Sequence, residues 1–146
     1  MSNSQAIGVA YQDQDIVGSN LLYVNSTSGQ FGYNTGSSTA VPTAVTQATS
    51  KSTGVTANTP CGTITMNNAA LAAGVEVAFI VTNSAVSAYD VPVLAIKSGA
   101  TTAGTYLLSV AAVAAGSFTV VVTNASAGSL SEALVISFAL IHVAQQ

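Results

Sequence analysis

Charge is what this chain has least of. Two lysines, no arginine and five carboxylates among 146 residues make 5% charged residues and a net charge of −3. A typical soluble domain carries roughly 25%. Each neutralised phosphate needs a lysine or arginine, so nucleic acid is not an expected partner. Cysteine is nearly absent too. Cys61 alone excludes an internal disulfide, and its setting, Pro60-Cys61-Gly62, suits a small turn or core thiol. The one histidine, His142, stands near the end of the sequence, whereas a zinc site draws on three or four His, Cys, Asp or Glu ligands. Long apolar runs are missing as well. Hydrophobic residues reach 49%, but they are largely alanine and valine in short stretches broken by Gly, Ser, Thr and Asn. None approaches the ~20 residues that span a bilayer, so no membrane partner is expected. The opening "MSNSQAIGVAYQDQD" lacks a basic segment followed by an apolar one. The expectation is a chain without a secretion signal, kept inside the cell until something releases it.

What is present is strand grammar. A chain of this length can bury roughly 70% of its unfolded surface and hold a core without metals or disulfides. From residue 62 onward, short alternating runs follow one another: "GTITM" (62–66), "VEVAFIVTN" (75–83), "DVPVLAIKS" (90–98), "GTYLLSVAAV" (104–113), "SFTVVVTN" (117–124) and "EALVISFALIHV" (132–143). Period two assigns faces. Val75, Val77, Phe79 and Val81 share one side of the second run; Phe118, Val120 and Val122 share one side of the fifth; Leu134, Ile136, Phe138 and Leu140 form a bulky row in the last. "NNAALAAG" (67–74) is either a single helical turn or a loop. Pro92 marks its strand as an edge or a bulge, because proline cannot donate to a ladder. Five or more short strands with Gly, Asn or Ser at every junction predict an all-β sandwich or barrel.

One phrase occurs twice. "LAAGVEVAFIVTN" (71–83) and "VAAGSFTVVVTN" (113–124) both give Ala-Ala-Gly, a β-prone run, then Thr-Asn. This describes a tight turn, a core strand and a polar exit. Shared strand grammar and an old duplication both account for it, and the one-residue difference in length suggests a bulge in one of the copies. Residues 1–50 differ in character. Short pieces, "AIGVAY" and "DIVGSNLLYVN", read as brief strands or an extended arm, and the Ser-, Thr-, Gly- and Asn-rich residues 25–60 as an extended segment with one or two short strands; together they predict an N-terminal arm with short strands (1–50) before a sandwich domain (51–146).

Chemistry is hard to find in this alphabet. Asp13 and Asp15 lie two apart in a segment that favours a solvated or contact-forming arm. Asp90 and Glu132 each precede a strand, where a carboxylate caps a turn; loop calcium binding stays open, without EF-hand spacing. Asn25-Ser26-Thr27 and Asn124-Ala125-Ser126 match the glycosylation pattern. No nucleophile elbow, phosphate loop or basic stripe occurs. No catalytic residue, cofactor or metal is expected.

The segments "TSKSTGVT" (49–56), "GTITMNNAALAAG" (62–74), "FIVTNS" (79–84) and "AGSLSEALVISFA" (127–139), within residues 45–143, together resemble a domain of tailed-phage virion proteins. The resemblance implies a jelly-roll capsid decoration (cement) protein: an antiparallel β-sandwich, often a homotrimer, seated on the major capsid protein, with no catalytic residues. An acidic, arginine-free chain suits the outer capsid surface of the virion better than its DNA-facing interior, with assembly in the host cytoplasm. Aromatics in a polar arm make candidate capsid contacts of Tyr11, Tyr23, Phe31 and Tyr33. The alternative is a tail or fibre module that binds host surfaces through exposed aromatic platforms, with Tyr89 and Tyr106 as candidates.

Overall fold

A computed structural model describes residues 42–143. Eight strands account for its regular structure: β1 (Thr43–Thr46), β2 (Val55–Thr56), β3 (Cys61–Thr65), β4 (Glu76–Thr82), β5 (Val91–Ser98), β6 (Tyr106–Ala114), β7 (Ser117–Asn124) and β8 (Val135–Ile141). They form two four-stranded sheets, β1-β3-β8-β5 and β2-β4-β7-β6. No helix occurs among the described residues, and 67–74 is a loop that touches the rest through an isolated Leu71–Leu130 bridge.

All-β architecture and a sandwich-like pair of sheets follow the sequence reading. An antiparallel fold throughout does not. β1 runs parallel to β3, and β2 parallel to β4. The reason is connectivity: a parallel neighbour needs a crossover, not a hairpin. The chain passes from β1 through β2 in the other sheet before returning to β3, and each visit adds one short parallel strand. The remaining pairs, β3–β8, β8–β5, β4–β7 and β7–β6, are antiparallel. Because β1 belongs to the sheet, the segment assigned to the arm (1–50) already contributes to the sandwich.

Alternation decides what is buried. Phe79 and Val81 of β4, Phe118, Val120 and Val122 of β7, and Ile136, Phe138 and Leu140 of β8 all point inward, with Leu134 just ahead of β8. Val75, expected on the same face as Val77, is instead exposed, because it precedes β4 where Gly74 and Val75 together face Asn124. Ile64 and Met66 join them from the β3 side. Phe118 and Phe138 meet between the sheets, ring centroids 5.8 Å apart at 54°. Each such side chain, fully buried, contributes about 1.5–3 kcal/mol, so the rows in β7 and β8 hold the sheets together.

Pro92 sits where the sequence expects it. β5 is an edge strand, and the register shift in it falls later, between Ile96 and Ser98. Opposite Pro92 is Leu140, whose N–H turns the other way, to the Pro60 carbonyl at 2.8 Å. The position of the missing proline donor therefore faces the open edge, where no ladder bond is lost.

Candidate interaction surface

Of the charged side chains of the described domain, Lys51 and Asp90 are buried, Glu132 is half-buried, and Glu76 and Lys97 are exposed. Lys51 is only 3% exposed. Its Nζ donates to the carbonyls of Asn67 (2.7 Å) and Glu132 (2.6 Å), joining the loops that precede β2, β4 and β8. Gln47 braces the same turn: Nε2 donates to the Lys51 and Thr53 carbonyls, and Oε1 accepts from Asn67 N–H. "TSKSTGVT" is thus a turn wrapped around a buried ammonium. Burial lowers the Lys51 pKa, and the nearby Glu132 charge opposes that shift. The Glu132 carboxylate accepts from Tyr106 Oη at 2.5 Å and Thr101 N–H at 3.3 Å. The tyrosine hydrogen bond holds the Glu132 pKa down, while burial, then the same bond, pushes Tyr106 up.

Asp90 forms a second clamp at the opposite end of β8. Its carboxylate accepts from Ser87 N–H (2.8 Å) and Ser87 Oγ (2.7 Å), meets His142 Nδ1 at 2.9 Å, and accepts from Val143 N–H at 3.2 Å. The Ser87 N–H bond is the largest cause holding the Asp90 carboxyl well below the usual range; the Ser87 hydroxyl, His142 and Val143 reinforce it against burial. Serine, histidine and aspartate meet here, but Ser87 Oγ donates to the aspartate and not to the imidazole. The wiring ties the segment before β5 to the end of β8. It does not activate a nucleophile in the manner of a hydrolase triad, where serine bonds the base.

This clamp underlies an apolar patch. Val91 and Ile141 face each other across β5 and β8, and both point outward, 51% and 57% exposed. Val93, Tyr89 and Val143 extend the same area and are also exposed. Along the outer side of this sheet the alternating positions are Ala44 and Thr46, Cys61, Thr63 and Thr65, Val135, Ser137 and Ala139, then Val91, Val93 and Ala95. None carries a charge. Exposed apolar side chains grouped on one sheet face make a candidate contact surface.

The other candidates fall as follows. Tyr11, Tyr23, Phe31, Tyr33, Asp13 and Asp15 lie outside the described residues. Tyr89 is 60% exposed, as a platform requires, but Tyr106 is buried with its hydroxyl engaged by Glu132, so it offers no platform. Cys61 is half-buried at the start of β3. Among the described residues no three His, Cys, Asp or Glu side chains group as metal ligands. Asn124 is fully buried, which closes that glycosylation pattern to any transferase acting on the folded domain. Sequence reasoning passed over Lys51; its clue was scarcity, one of two cations in the chain set among small turn residues.

The fold and surface define an all-β two-sheet domain with several exposed apolar side chains. No family model, curated protein or solved structure matches the chain.

Proposed function

We propose that this chain is a structural virion protein that decorates the outer surface of a phage capsid and stabilises it by bridging capsid subunits. The observation behind the contact is the patch of Tyr89, Val91, Val93, Ile141 and Val143, held by the Asp90 clamp on a charge-free sheet face. The identity of the partner rests on the resemblance. The two four-stranded sheets support it, since a jelly roll is likewise a pair of packed β-sheets. A cement protein acts by burying surface at joints between subunits, about 1,600 Å² per standard interface, repeated by symmetry. Apolar contacts without charge are also little weakened by salt.

The experiment is binding to capsids. Purified virions should carry this chain in hundreds of copies relative to the major capsid protein; a handful would favour the tail or fibre reading, for which exposed Tyr89 speaks. With added protein, V91K/I141K should lose capsid binding while its circular dichroism stays that of the parent. Binding that survives this double change would remove the patch from the proposal.

A further inference from the structure

Among the described residues, β5 and β6 are the two long free edges of the sandwich, and they are guarded unequally. β5 presents Pro92 at an outward donor position, and Lys97 sits in the register shift between Ile96 and Ser98. These are the devices by which edge strands repel a neighbour. β6, the free edge of the other sheet, has no proline and no charge from Tyr106 to Ala114. Its regular part ends at a register shift between Val110 and Ala112.

Ladder geometry tells which main-chain groups of β6 face outward. Tyr106 lies opposite Asn124, whose own N–H and C=O turn toward Val75 and Gly74. The Tyr106–Asn124 pair is therefore a non-bonded pair, and alternation directs the N–H and C=O of Leu108 and Val110 away from β7. Their side chains pack on the core. Beside them Ser109, Ala111 and Ala112 are exposed and small, leaving room for another strand, and exposed Leu107 supplies apolar area on the outer face.

We infer that β6 pairs antiparallel with β6 of a second copy of this chain, joining two four-stranded sheets across a two-fold axis beside Ser109. Several features make a second copy the fitting occupant. An uncharged strand meets its own copy without repulsion. Antiparallel pairing of one sequence with itself is self-complementary, and it is two-fold by necessity. A two-fold beside Ser109 sets Leu108 of each copy against Val110 of the other, each pair exchanging two bonds. This contact replaces the three-fold association that the resemblance implies. It is independent of capsid binding, because it uses the opposite sheet from the Val91–Ile141 patch.

Sedimentation of the full chain tests it. The parent should sediment as a dimer. S109K and S109E, each placing two like charges at the axis from an exposed position, should sediment as monomers, and an equimolar mixture of the two should recover the dimer. Amide exchange at Leu108 and Val110 should be slow in the parent and fast in S109K, with β7 protection unchanged. A monomeric or three-fold parent, an assembly indifferent to both charges, or equally fast exchange at Leu108 and Val110 in parent and variant would each overturn the inference.

Discussion

The phrase written twice in this chain builds two neighbours that are wired differently. β4 and β7 lie side by side, antiparallel, with Glu76 against Thr123 and Thr82 against Ser117. Each copy begins at a glycine in the left-handed region, Gly74 at φ 69° and Gly116 at φ 82°. Each ends at a fully buried asparagine, Asn83 and Asn124. The ends meet reciprocally: Gly74 N–H donates to the Asn124 carbonyl, and Asn83 N–H to the Gly116 carbonyl. The connections differ. Ala115-Gly116 closes the β6–β7 hairpin within one sheet, whereas Ala72-Ala73-Gly74 delivers the chain from β3 in the other sheet. The extra residue of the first copy is absorbed there, since Gly74 and Val75 together face the single Asn124. The phrase encodes how a strand starts and stops, and leaves open where the chain comes from.

The asparagines sharpen the contrast. Both Oδ1 atoms accept from the main chain two residues on, Ala85 and Ser126 N–H, which closes a turn. Asn83 Nδ2 donates once, to the Thr59 carbonyl, fixing the strand beside β2. Asn124 Nδ2 donates twice, to Leu71 and Gly128, and its Oδ1 also accepts from Ser126 Oγ. Asn124→Ala should therefore be the more damaging of the two asparagine changes, about 3 kcal/mol, because it leaves several buried partners unsatisfied. Asn83→Ala should cost about 2 kcal/mol on the same grounds. Urea midpoints at unchanged slope measure both, and equal losses would mean that the extra bonds of Asn124 contribute nothing.

The glycines break the comparison the other way, because they should behave alike. A Cβ at Gly74 or Gly116 meets no atom within 4 Å, so only backbone strain opposes alanine. Each substitution should cost about 1 kcal/mol. A much larger loss at Gly116 would show that the hairpin, and not the glycine conformation, limits stability.

Much of the fold was legible because β4 to β8 obey period two and their bulky rows are long. Phe118, Val120, Val122, Ile136, Phe138 and Leu140 all face inward as alternation requires. β1 and β2 were legible only as one or two short strands somewhere within residues 25–60, without position or pairing. Four and two residues in a polar stretch carry no period, and their parallel pairing depends on a crossover that no local pattern records. Thr-Asn appeared as a polar exit, and nothing in the sequence says that both asparagines are buried. The surface shows the same division. Asp90 and His142 were placed correctly at strand ends, yet their meeting joins residues 52 positions apart. The Lys51 node escaped notice for a similar reason, since its acceptors are main-chain carbonyls that any residue would supply.

The segments after the two asparagines give the smallest and last contrast. Each leads to a carboxylate ahead of the next strand, Asp90 before β5 and Glu132 before β8, but their alkaline behaviour should differ. Both carboxyls titrate below their ordinary values in the fold. Their stabilisation is complete above the unfolded pKa, about 3.8 for Asp90, and is lost as pH falls below it toward the depressed folded value. D90N should accordingly flatten the acid limb of a urea-midpoint profile. Only the Glu132 node carries Tyr106, whose folded pKa is raised above 10.0. The unfolded chain sheds that proton first, so this contribution holds below pH 10 and declines above it. Lys51 acts with opposite sign: its lowered pKa makes folding gain as pH rises toward 10.5, which masks part of the decline. Y106F should remove the tyrosine component and leave a midpoint that rises toward pH 10.5 and does not fall above it on this account. A Y106F profile that falls as the parent's does would place the alkaline loss elsewhere in the molecule.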